Sequence, residues 1–104
     1  MAAYNIVFTK CFNDELSDAL DYISQNFDNP SAANKILNKL SDKISLIADN
    51  PVLFPLYHDD ELAGKGVRYT VISKYLLFYE VNEAKKSVEL LHFIYGNRNI
   101  PDMF

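Results

Sequence analysis

Between Gly66 and Arg98 the chain reads GVRYTVISKYLLFYEVNEAKKSVELLHFIYGNR, three runs dense in Val, Ile, Leu, Tyr and Phe. Polar breaks at Ser73-Lys74 and from Asn82 to Lys86 separate them. Branched and aromatic side chains suit a pleated surface, and breaks this short turn each strand back on the last, so an antiparallel meander is expected. Alternation then sorts the faces. Val67, Tyr69 and Val71 oppose Arg68, Thr70 and Ile72; Tyr75, Leu77, Tyr79 and Val81 oppose Leu76, Phe78 and Glu80; Val88, Leu90, His92 and Ile94 oppose Glu89, Leu91, Phe93 and Tyr95. Neither face is wholly polar, so one side needs a cover of helices and the other a second cover or a partner protein.

The residues before the meander supply the first cover. Tyr4 to Thr9 reads as a short strand, and Thr9 is placed to cap a helix whose early acids, Asp14 and Glu15, suit the positive end of its dipole. Phe12, Leu16, Ala19, Leu20, Ile23 and Phe27 recur at spacings of three and four, one apolar stripe on an amphipathic helix. Asp28-Asn29-Pro30 breaks it: Asn29 can cap a second helix and Pro30 suits its first position. Ala33, Ile36, Leu37, Leu40, Ile44 and Ile47 form a second stripe that ends before Pro51. Two striped helices joined by a tight break form an antiparallel hairpin, and the meander is the apolar surface open to both stripes. Pro51 to Lys65 reads as a loop with an acidic cluster at Asp59-Asp60-Glu61. The expected fold class is therefore α+β, in the order β-α-α-β-β-β, with the helices packed on one face of the sheet and residues 1–104 as one domain.

Composition narrows the function. With 104 residues, 49% hydrophobic and 23% charged, the chain has the make-up of a soluble globular protein. A single cysteine, Cys11, allows no internal disulfide, no apolar run nears the roughly 18 residues of a membrane span, and no signal peptide is apparent, so a cytoplasmic protein without a membrane partner is expected. The net charge of −4 argues against mainly electrostatic nucleic-acid binding. Residues 1–50 carry four Lys against seven acids (−3), and residues 65–104 six Lys or Arg against four acids (+2), so an anionic ligand should meet the later half. Two histidines and one cysteine far apart in sequence give no metal signature, and three glycines outside any phosphate-cradling run exclude a nucleotide fingerprint. No metal and no cofactor are expected.

The opening YNIVFT, the helix from NPSAANKIL to Asn50-Pro51, the segment GVRYTVISKYLLFYEV and the closing LLHFIYGNRNI together resemble the RelE/ParE superfamily of toxins from type II toxin–antitoxin (plasmid stabilisation) systems. Their order covers nearly the whole chain, and the two long helices are closer to the ParE side. The resemblance implies a toxin neutralised by a cognate antitoxin that folds on it as a helix or an added strand, in a hetero-oligomer or beside a homodimer. ParE-like members inhibit DNA gyrase and catalyse nothing known. RelE-like members cut mRNA on the ribosome without metal.

Metal-free RNA cleavage needs a base for the 2′-hydroxyl, cations for the phosphate and an acid for the leaving oxygen. Arg68 and Arg98 match the family's arginines and offer paired donors to phosphate. Neither is expected to be needed for folding, since surface ion pairs contribute only about 0–1 kcal/mol. Tyr95 is the acid or base candidate ahead of His92 and His58, and Arg68, Arg98 and Tyr79 are the candidate contacts to a partner or target. The tyrosine that ribosome-dependent relatives place beyond the closing arginine is replaced here by Ile100, Pro101, Asp102, Met103 and Phe104. The Pro51–Lys65 loop also holds one Lys against three acids. Both features favour the ParE-like, non-enzymatic reading over the RelE-like endoribonuclease; a non-toxic member acting as a binding module is the third reading.

Overall fold

The computed structural model describes residues 3–26, 30–96, 100 and 104. Strand β1 (Asn5–Phe8) leads into helix α1 (Lys10–Asn26), and helix α2 (Pro30–Asp49) follows. A strap from Pro51 carries a single helical turn, α3 (Asp60–Gly64), before β2 (Arg68–Ile72), β3 (Tyr75–Asn82) and β4 (Ser87–Tyr95). The sheet order is β1-β4-β3-β2: the last three strands form the antiparallel meander, and β1 adds to it parallel to β4.

The expected stripes face the sheet. Phe12, Ala19 and Ile23 from α1 and Ala33, Ile36, Leu40 and Ile47 from α2 pack on Ile72, Tyr75, Leu77, Tyr79, Val88, Leu90 and Phe93. Burying side chains of this size contributes about 1.5–3 kcal/mol each, so this layer holds the fold together. Leu37 departs from its stripe and is exposed, while Ala32, on the opposite flank of the stripe, packs inward. Phe27 and Asn29 lie outside the described residues. The second sheet face has a cover of its own: Tyr57 and Leu62 from the strap, with Val67 and Ile100, close over Phe78 and Ile94. Asp59 makes that cover possible by capping α3, its Oδ1 accepting the Leu62 N–H at 3.1 Å, so part of the expected loop is a helical turn.

Strict alternation fails along β4. Tyr79 pairs with Leu90 but Phe78 pairs with His92, so Leu91 is an extra residue, a β-bulge. From there the faces exchange: Phe93 joins Val88 and Leu90 beneath the helices, whereas Leu91 and Ile94 belong to the strap side. His92 therefore does not share a face with Val88 and Leu90 as the sequence pattern suggested; it stands opposite Phe78.

Candidate functional site

Arg68 opens β2 directly beside Tyr79 of β3, and paired residues of neighbouring strands point to the same face, here the helix side. The strap passes alongside. Its Pro55 carbonyl accepts the Tyr69 N–H at 3.1 Å, its Tyr57 N–H donates to the Val67 carbonyl at 2.8 Å, and Leu56 bridges to Arg68. Two side chains tie it down further. Arg68 donates from Nη1 to the Phe54 carbonyl at 2.7 Å, and the Tyr79 hydroxyl donates to the Pro51 carbonyl at 2.8 Å.

Arg68 is thus half-buried and engaged with a carbonyl. Among the described residues no carboxylate pairs with it. Its charge nonetheless faces a second task besides solvent, because a charge-assisted bond to a half-buried carbonyl holds chain in place. Where the sequence suggests a surface ion pair for Arg68, its partner is instead the Phe54 backbone carbonyl. Tyr79, a candidate contact residue in the sequence, is 0% exposed and offers a partner no surface. Burial pushes its phenol up to about 12, against the opposing pull of the Arg68 charge and the Phe54 backbone.

Tyr95 lies at the other end of the sheet. It pairs with Tyr75 and packs edge-on against that ring at 5.5 Å, 37% exposed. Tyr75 and Tyr79 are four residues apart on β3, which separates Tyr95 from Arg68 by about 13 Å along the strand direction as well as by two strands across. Arg98 lies outside the described residues. His58 is exposed on the strap, its ring 4.2 Å from that of Tyr57.

His92 belongs to a third location. β1 stops opposite Leu90, leaving the later half of β4 without a strand on the side away from β3, and the start of α1 fills that role. Thr9 works in both directions: its Oγ1 accepts the Phe12 N–H at 3.2 Å, capping α1, and donates to the Leu90 carbonyl at 2.6 Å. One turn on, Glu15 Oε1 accepts the Phe93 N–H at 3.2 Å and sits 2.9 Å from His92 Nδ1. Cys11 Sγ completes the group, 3.4 Å from that nitrogen and 3.6 Å from Oε1. Desolvation of the sulfur, then the Glu15 carboxylate, push the Cys11 thiol above its ordinary value. Sequence reasoning set Cys11 and His92 aside because they are far apart in the chain; the spacing Cys11-x-x-x-Glu15 on one helix face was the part of this group that could be read.

Beyond the strap the outer edge of β2 is bare. Tyr69 turns its N–H outward to Pro55, and two residues on Val71 also turns its N–H and carbonyl outward, where no described backbone group meets them. Val71 is 52% exposed. Beside it runs an open groove of about 280 Å³, lined by Lys43, Phe54, Pro55, Tyr69, Thr70 and Val71, with the Lys43 ammonium 5.0 Å from the centre of the Phe54 ring. No described helix is long and apolar enough to cross a membrane.

Residues 6–100 match the family model described as the ParE toxin of the type II toxin–antitoxin system parDE. No curated protein matches the sequence. Among solved structures the chain is similar to one in the toxin–antitoxin complex RelBE2 from Mycobacterium tuberculosis, at a TM-score of 0.62 and 17% identity, covering 91% of this chain and 93% of that one. It is also similar to a chain of the chromosomal ParDE toxin–antitoxin system from P. aeruginosa, at a TM-score of 0.67 and 14% identity, covering 89% and 96%. At those identities the likeness speaks for the fold.

Proposed function

Because this chain belongs to the ParE toxin family of type II toxin–antitoxin systems, we propose that it arrests growth by binding DNA gyrase rather than by cutting RNA. A cognate antitoxin silences it by lying along the open edge of β2. The observation that carries the first part is the separation of Arg68 from Tyr95 and His92, together with the burial of the one phenol beside it. Arg68 is held on a carbonyl, the phenol beside it is enclosed and pushed up to about 12, Tyr95 stands at the far end of β3, and His92 is occupied at the opposite edge of the sheet. General acid–base chemistry requires these groups within hydrogen-bond reach of one bound phosphodiester.

The second part is supported by the groove and the bare backbone beside it. An extended segment added to β2 gains main-chain hydrogen bonds at Val71 and fills the groove with alternate side chains, while Lys43 and Arg68 favour acidic residues in it. Both structural neighbours come from toxin–antitoxin systems.

The test is to express the chain without a partner and incubate the purified protein with gyrase and supercoiled plasmid. Linear plasmid released on denaturation is the expected result, with mRNA in a translating extract left whole. Codon-specific cuts in that extract, with supercoiling untouched, would reverse the assignment. Arg68→Ala is expected to weaken growth arrest and to cost about 1 kcal/mol of stability through the lost bond to Phe54.

A further inference from the structure

The geometry points to a three-ligand site for Zn²⁺ built from Cys11, Glu15 and His92, with its fourth coordination position open to solvent. This inference is independent of the toxin reading. It starts from the shape of the donor triangle. Its edges are 3.4 Å from Sγ to Nδ1, 3.6 Å from Sγ to Oε1 and 2.9 Å from Nδ1 to Oε1. A tetrahedral zinc with bonds of about 2.3 Å to sulfur and about 2.0–2.1 Å to nitrogen and oxygen requires edges of about 3.5, 3.5 and 3.3 Å. Two edges already agree, and the third opens by a small rotation of the Glu15 carboxylate.

The donor chemistry selects the ion. A thiolate, an imidazole and one carboxylate suit a borderline metal such as Zn²⁺ and do not suit Mg²⁺ or Ca²⁺, which take oxygen ligands. The support around the ligands is already present. Cys11 and Glu15 project from one face of α1 at a spacing of one turn, and the Phe93 N–H donates to the same Oε1 and fixes its place. The Phe104 ring lies 4.5 Å from the His92 ring and shields one side of it. Such supporting contacts fix ligand orientation before the metal arrives. Cys11 is exposed, which gives the ion its way in. On binding, the Cys11 sulfur gives up its proton to solvent, the neutral His92 ring carries its proton on Nε2 so that the Nδ1 lone pair is free, and both atoms bond to zinc; no electron transfer is involved.

The full-length, untagged, reduced protein should bind Co²⁺ one to one, with the thiolate-to-cobalt charge-transfer absorption and intense visible bands of tetrahedral geometry, and Zn²⁺ should displace it. Cys11→Ser should abolish the charge-transfer absorption, and His92→Asn should weaken Zn²⁺ binding at least tenfold. Glu15→Gln keeps an acceptor for the Phe93 N–H and should weaken binding by a similar factor while the protein stays folded by circular dichroism. His58→Ala should change nothing. Co²⁺ binding without the charge-transfer absorption, or Zn²⁺ binding as tight in Cys11→Ser as in the parent, would overturn the site.

Discussion

The two exposed edges of the meander meet the same problem and solve it differently. Along the later half of β4 no strand lies on the side away from β3, yet Thr9 donates to the Leu90 carbonyl there and Glu15 accepts the Phe93 N–H. Along β2 the strap satisfies Val67 and Tyr69 and then departs, so Val71 is left outward-facing with nothing described beside it. A helix can therefore close a sheet edge with two side chains where a strand would use its backbone. The edge left unclosed is the one with a groove, which is where an incoming strand gains most.

At neutral pH the largest effect should come from opening the closed edge. Glu15→Ala leaves the Phe93 N–H and the His92 ring without their acceptor in a half-buried position, a cost of about 2 kcal/mol, or a melting temperature lower by roughly 10 °C. Amide exchange at Phe93 should speed up in step, and an unchanged Phe93 would mean that this edge is not sealed by Glu15. Thr9→Ala removes the α1 cap and the bond to Leu90 together and should cost about 1–2 kcal/mol in urea unfolding.

The strap holding the covered part of β2 should loosen in alkali. Tyr79 keeps its proton to about pH 12 in the folded chain but ionises near 10 once unfolded, so its contribution is intact below pH 10 and disappears as pH rises toward 12. The loss is on the order of 2–3 kcal/mol, and Tyr79→Phe should flatten stability between those pH values. Smallest for folding is a change at the open edge: Val71→Pro deletes an N–H that points to solvent and should cost under about 1 kcal/mol, since edge strands accept proline. The same substitution should weaken antitoxin capture at least tenfold in a calorimetric titration; undiminished capture would move the antitoxin elsewhere.

Much of this architecture was legible in the residue pattern. The spacing of Phe12, Ala19 and Ile23, and of Ala33, Ile36, Leu40 and Ile47, found the buried faces of both helices because helical period and burial are locked together. The alternation of Tyr75, Leu77 and Tyr79 against Leu76 and Phe78 likewise gave the two sides of β3. Leu37 is exposed because it lies on the flank of the stripe, where a leucine looks the same in sequence whether it turns inward or to solvent. The bulge at Leu91 could not be read, since an inserted apolar residue within an apolar run leaves no compositional trace.

The site residues were harder for a different reason. Arg68 meets a backbone carbonyl, an acceptor that every residue carries, so no side chain in the sequence announces it. Tyr79 was ambiguous because strands bury and expose tyrosine alike, depending on whether the hydroxyl finds a partner, here the Pro51 carbonyl. Cys11 and His92 are separated by 81 residues and meet only because β1 runs parallel to β4 and delivers the head of α1 to that edge.

The single added residue in β4 acts as a phase shift. Upstream of it, odd and even positions obey one assignment of inside and outside; downstream they obey the opposite one. Deleting Leu91 would restore plain alternation, with His92 still opposite Phe78, Phe93 still in the helical layer and Ile94 still on the strap side. When relatives of this protein are compared, a one-position gap at this point should be read as the loss of a kink and not as an exchange of layers, because the residues on either side keep their partners on β3.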